Sequence, residues 1–209
     1  MIIIETIKKF LQERRDRKVK ALPEGYIDIV DLFKEGFVRA KGTGQSITDI
    51  TAEIVNRVNA PLKVSIAHGT YFVSQGNHQN MVTRRKYQFV LGPLDTERIR
   101  VPASCINASL PIPSGNDRFS GVAHVSNNVR RFMEAAEGEE AMVIQAGIWA
   151  LTDGFSRQRI QQTLRTRRVS TRNGGLLMGE GIDEGPAISN AQIARAKAIL
   201  DSLKISHNL

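Results

Sequence analysis

The chain has one cysteine, few aromatic residues and no long apolar run. A single cysteine among 209 residues excludes an internal disulfide and a zinc site built from several cysteines. No apolar stretch has the length of a transmembrane helix, and the first residues lack the basic-then-apolar order of a signal peptide. We therefore expect a globular protein of the cytoplasm without a transmembrane segment.

Sequence motifs of the common catalytic and cofactor sites are also missing. The chain has no Gly-x-Ser-x-Gly element, no phosphate-binding loop and no dinucleotide-binding fingerprint. The four histidines lack the short spacings that place two metal ligands on one helix or hairpin. They are His68, His78, His124 and His207. We predict no metal site and no cofactor, and we favour a non-enzymatic protein.

Positive charge is abundant, with a formal net charge of +8 and a pI near 9.9. It is concentrated in residues 8–20 and in residues 154–179, and the second block contains no acidic residue. Its candidate binding residues are Arg157, Arg159, Arg165, Arg167 and Arg168. Aromatic residues are not interleaved with these arginines, as a stacking platform for single strands would require. The pattern favours a solvated basic face or a patch for an acidic partner, with nucleic acid or another polyanion as the alternative.

Residues 1–22 predict an amphipathic helical arm. One side of this helix carries Ile3, Ile7, Phe10 and Leu11, and the other side carries charged residues. A basic amphipathic helix can lie on a membrane surface. Because the polar face carries acids as well as bases, we favour docking of the arm on its own domain or on a neighbouring subunit.

The middle of the chain has the two-residue period of β-strands. Residues 23–45 predict a connector with a flexible hinge or turn at 42–45, and residues 46–113 predict short strands separated by Gly, Pro and Asn turns. This pattern is typical of an antiparallel sandwich or barrel. The spacing also resembles that of uncharacterised bacterial immunoglobulin-like domains. The residues that carry this resemblance are Asn56, Pro61, Leu62, Val64, Ile66, Gly69, Thr70, Phe72 and Gln79–Val82.

Residues 114–209 return to a helical period. The apolar run 141–151 predicts a buried helix with one polar side chain, Gln145, and an end at Asp153-Gly154. Ser189 and Gln192 have the spacing of a capping box at the start of a final helix. We therefore predict an α+β fold, an antiparallel immunoglobulin-like β-sandwich packed against a C-terminal helical bundle, with an N-terminal helical arm.

Cys105 and Gln145 are the two residues of the chain whose surroundings in the sequence suggest a specific chemistry. Cys105 continues the inward parity of Ile99, Val101 and Ala103, and Gln145 needs partners because a buried amide without them costs about 1–3 kcal/mol. Ser104-Cys105-Ile106 and the segment from Ile144 to Trp149 resemble the two motifs of bacterial thioester domains, which occur in Gram-positive surface adhesins. The resemblance implies that the Cys105 thiol attacks the Gln145 amide, expels ammonia and forms an internal thioester that acylates a target. The simpler alternative is that Gln145 hydrogen-bonds main-chain groups and joins helix to sheet.

Three functions follow from these patterns. The leading hypothesis is a binding or assembly module that uses the arm to self-associate or to dock on a protein partner. The thioester formed by Cys105 and Gln145 is the second, and polyanion or nucleic-acid binding through the basic patches is the third.

Overall fold

The computed structural model describes residues 2–19, 22–44, 46–172 and 188–209, with the main chain alone at residues 2, 3, 7, 8 and 165–172. The helices are α1 (Ile2–Val19), α2 (Ile29–Lys34), α3 (Asn127–Ala135), α4 (Ala141–Thr152), α5 (Arg157–Arg172) and α6 (Asn190–Ser202). The strands are β1 (Ile27–Asp28), β2 (Val38–Gly44), β3 (Asp49–Asn56), β4 (Leu62–Ile66), β5 (Thr70–Ser74), β6 (Asn80–Thr83), β7 (Tyr87–Leu91), β8 (Thr96–Ile106) and β9 (Arg118–His124).

Six strands form a closed antiparallel barrel in the order β2-β3-β8-β6-β5-β9. Alternate residues of β3 are buried, and the residues between them include Asp49 and Glu53 on the outer surface. The register places Ile50 opposite Val101, so the buried faces of β3 and β8 meet inside the barrel. The barrel interior is therefore a packed apolar core.

A bulge in β9 allows the barrel to close. Between its pairings with β5, the register changes so that Phe72 faces Val122 and Ser74 faces Phe119, which leaves one extra residue in β9. Gly121 lies in this bulge with a φ of +90°, a conformation that other residues seldom adopt.

A second sheet of three strands has the order β1-β4-β7. The Asn56 side chain at the end of β3 joins the two turns beside this sheet. Its Nδ2 donates to the main-chain oxygens of Ala60 and Gly92 at 2.8 and 2.7 Å, and its Oδ1 accepts from the Val58 N–H at 2.9 Å. These bonds hold the turn that follows β3 against the turn that follows β7.

The helix α4 packs against α3, α6 and strand β8. Its residues from Val143 to Ala150 are all buried, which confirms the buried helix predicted from the apolar run. Gly147 lies where α4 meets α3, and a Cβ atom at this position would overlap the ring of Phe132. The predicted capping box of α6 is also present, with Ser189 and Gln192 bonded reciprocally.

The predicted immunoglobulin-like sandwich with a C-terminal helical bundle is wrong. The structure has a closed six-stranded barrel, a separate small sheet and a few helices. Two barrel strands lie outside the segment 46–113. One is β2 in the predicted connector 23–45, and the other is β9 in the predicted helical segment 114–209. Local alternation is the same in a sandwich and a barrel, so it does not reveal which strands pair to close the sheet.

Candidate functional site

Strand β8 extends beyond the start of its neighbour β3. Pairing of the two strands begins with Asp49 opposite Pro102, and the Ala103 N–H still donates to the Thr48 oxygen at 2.9 Å. Cys105 comes two residues later, so its N–H and C=O point to the same side of β8 as the Ala103 N–H. On that side β3 has already ended. Buried main-chain groups in such a place need partners from elsewhere.

The Gln145 side chain supplies both partners for Cys105. Its Oε1 accepts from the Cys105 N–H at 3.0 Å, and its Nε2 donates to the Cys105 oxygen at 2.7 Å. Cys105 has an exposed fraction of 0% and Gln145 of 1%, so both bonds are shielded from water. The amide of Gln145 therefore occupies the edge of β8 as a neighbouring strand would.

A second contact fixes α4 along the end of β8. Asp153, the C-cap of α4, accepts from the Ala108 N–H through Oδ1 at 2.8 Å. One helix therefore contacts Cys105 inside β8 and Ala108 just beyond the end of this strand. The sequence predicted Asp153 as a helix end but carried no signal for its partner.

Arg84 completes the edge where β3 begins. Its Nε donates to the Ala103 oxygen at 3.1 Å, and its Nη2 donates to the Thr48 oxygen at 3.0 Å. Burial lowers the pKa of Arg84, while the charge of Asp49 acts in the opposite direction. Sequence reasoning missed this role because Arg84 belongs to a short basic run that is typical of a solvated surface.

The Cys105 sulfur lies in a dry, apolar environment. Sγ is 3.4 Å from Met81 Sδ and 4.0 Å from the Ile47 oxygen. Met81 lies directly opposite Cys105 in the β6–β8 register, so both side chains point to the same face of the sheet. The site thus combines a buried thiol that forms no disulfide with a carboxamide held by the main chain of the same cysteine.

The predicted basic patch is described only at its start. Arg157 and Arg159 are exposed in the first turn of α5, and the Arg159 guanidinium lies 5.5 Å from the centre of the Phe155 ring. The side chains of Arg165, Arg167 and Arg168 lie outside the described part of the chain. Polyanion binding through this patch stays a prediction.

The predicted arm forms α1, and the described residues of its predicted apolar side are exposed. Phe10 is 57% exposed and Leu11 44%, while the side chains of Ile3 and Ile7 are outside the described set. The polar Gln12 instead contacts the barrel, with its Nε2 donating to the Arg57 oxygen at 2.8 Å. Assembly through the arm stays a prediction.

The histidines lie at separate places, each within 4.0 Å of the carboxylate of a different acidic residue. The pairs are His68 with Glu137, His78 with Asp117, His124 with Asp28 and His207 with Asp201. Among the described residues, no group of three His, Cys, Asp or Glu side chains is placed to hold a metal ion.

Comparisons with known proteins found no family model, no curated protein and no solved structure that matches the chain. Within the described ranges, no helix is both long and apolar enough to cross a membrane.

Proposed function

We propose that Cys105 and Gln145 form an internal thioester, through which the chain becomes covalently attached to a nucleophile on a partner. The observation that carries the proposal is the contact itself. Residues forty positions apart in the sequence meet in a buried site, with the carboxamide of one held by the main chain of the other. Proximity of this kind turns a slow intermolecular reaction into an intramolecular one.

The two hydrogen bonds of Gln145 suit the chemistry of amide displacement. The Cys105 N–H donates to Oε1, the oxygen that gains negative charge when sulfur attacks the amide carbon. The Cys105 oxygen accepts from Nε2, the nitrogen that leaves.

The reaction balances without a further reactant. A bond forms between Cys105 Sγ and Gln145 Cδ, the Cδ–Nε2 bond breaks, and the thiol proton leaves with the nitrogen as ammonia. The exposed fractions of 0% and 1% exclude the bulk water that would hydrolyse the product. Attachment requires the buried site to open locally; a partner nucleophile then takes the acyl group, and its proton returns to the sulfur of Cys105.

The test is the intact mass of the purified chain, combined with alkylation in denaturant. The thioester form weighs less than the sequence by one ammonia, and its cysteine resists alkylation in urea. Because Cys105 is the only cysteine, every alkylated molecule reports on this thiol. Methylamine is expected to cleave the thioester, add its own mass at Gln145 and make Cys105 reactive.

Two variants serve as controls for this test. Cys105→Ala removes the nucleophile, and Gln145→Glu keeps the size of the side chain but removes the amide nitrogen. Both are expected to have the full mass of their own sequences before and after methylamine. Wild-type protein of full sequence mass, with a thiol that is alkylated completely in urea, would overturn the proposal.

A further inference from the structure

The helix α1 turns polar residues towards the barrel. Gln12 donates to the Arg57 oxygen, and Asp16 Oδ1 accepts from the Asn59 N–H at 2.9 Å. Glu5 also lies on this side, where it lines a groove together with Arg15 and Arg57. Two of the three acidic residues of α1, Glu5 and Asp16, therefore lie on the side of the barrel, and the third, Glu13, is exposed.

The exposed apolar residues of α1 are Ile4, Phe10 and Leu11, of which Leu11 also lines the groove beside Arg57, whereas Val19 packs against the core. Ile4 is 60% exposed, Phe10 57% and Leu11 44%. At 3.6 residues per turn, all three lie on the half of the helix that is turned away from Gln12 and Asp16. The sequence pattern places Ile3 and Ile7 in the same stripe. Among the side chains of α1 that the structure describes, Ile4 and Phe10 are therefore mostly uncovered and Leu11 partly so.

Positive charge surrounds the stripe. Arg14 and Arg17 are exposed on the outer half of α1. Nearby, Arg15, Arg39 and Arg57 lie close enough together that, after the effect of burial, the charges of Arg15 and Arg39 lower the pKa of Arg57. The acids that balanced these cations in the sequence pattern mostly point inward, so the outer side of α1 is cationic.

We propose that α1 binds the surface of an anionic lipid bilayer, with Ile4, Phe10 and Leu11 inserted among the lipid chains and Arg14 and Arg17 on the phosphates. Large apolar side chains flanked by cations are the features of helices that lie in the membrane interface. A second copy of this chain is the poorer occupant, because face-to-face pairing of α1 would bring Arg14 and Arg17 against the same cations.

The experiment is sedimentation of the full chain with lipid vesicles. Vesicles of phosphatidylcholine alone are compared with vesicles that contain phosphatidylglycerol as well, at low and high salt. We expect binding to the anionic vesicles that weakens at high salt. The variants Phe10→Ser/Leu11→Ser and Arg14→Gln/Arg17→Gln are each expected to lower the partition coefficient about tenfold or more.

Val90→Ser is the matched control, because Val90 is an apolar residue on β7 that is as exposed as Phe10, at 58% against 57%. This variant is expected to bind like the wild type. Equal urea midpoints of all variants would show that the fold is unchanged. Three results would overturn the proposal. They are no sedimentation with anionic vesicles, equal binding by Phe10→Ser/Leu11→Ser, and a lipid-independent dimer that this same variant dissociates.

Discussion

Replacing Gln145 by methionine in a Cys105→Ala background is expected to lower the free energy of unfolding by about 2–4 kcal/mol. Methionine has nearly the length and volume of glutamine, so the change leaves little cavity. It removes both hydrogen bonds to the main chain of residue 105, and each buried group left without a partner costs about 1–3 kcal/mol. The apolar side chain returns a part of this loss, which sets the range below the simple sum.

The Cys105→Ala background serves to isolate the hydrogen bonds. Alanine keeps the N–H and C=O that Gln145 binds, and it removes any covalent bond between the two side chains. Stability is measured by urea unfolding, and an unchanged m value indicates that the unfolded state is the same in both proteins.

Gln161→Met is the matched control for this measurement. The Gln161 side chain also makes a hydrogen bond, from Nε2 to Asn190 Oδ1 at 2.8 Å, but in an exposed position. Its loss is expected to change the free energy of unfolding by less than about 0.5 kcal/mol. If Gln145→Met has an effect as small as that of Gln161→Met, the amide of Gln145 is not the partner that the edge of β8 needs.

Two further predictions concern the packing of α4 and the acid side of the stability profile. Gly147→Ala is expected to lower the free energy of unfolding by about 1–3 kcal/mol in urea, because the Cβ of alanine would overlap the Phe132 ring. This loss is expected although alanine favours helices over glycine. Phe132→Leu in the same chain should recover part of the loss, and a Gly147→Ala variant more stable than the wild type would contradict the packing. Hydrogen bonds from Ser114 hold the pKa of Asp117 below its ordinary value of 3.8. The stabilising effect of Asp117 is therefore complete above that value and is lost as the pH falls below it. Asp117→Asn should accordingly lose less stability than the wild type between about pH 5 and about pH 3. Parallel plots of the free energy of unfolding against pH for the two proteins would refute this.

The sequence predicted individual elements better than their arrangement. The buried α4 and the cap of α6 depend on residues close together in the chain, and both are present. Gly42 shows why the barrel was missed. In the sequence it belongs to a predicted hinge, whereas in the structure it lies in β2 opposite Phe119 of β9, more than seventy residues away. Where the two strands approach this closely, a small residue serves packing and not flexibility.

The same limit applies to the candidate site. Burial of Gln145 and inward parity of Cys105 can be predicted because each depends on a local pattern. The partner of Gln145 depends on where β3 ends relative to β8, which only the tertiary pairing determines. Arg84 and Asp153 close the same edge, and neither has a sequence signal that separates it from an ordinary surface arginine or a helix-end aspartate.

The two proposed surfaces lie at opposite ends of β3. The contacts of α1 are to Arg57 and Asn59, just after the last residue of this strand, whereas the Cys105 site adjoins Ile47 and Thr48, just before its first residue. A strand of eight residues is about 26 Å long, so the barrel separates the two surfaces by roughly its own length. In a chain held to a bilayer through α1, the Cys105 site would therefore lie about one strand length from the contacts of α1 with the barrel. This separation lets the lipid surface determine where the chain is held without contact to the buried thioester site.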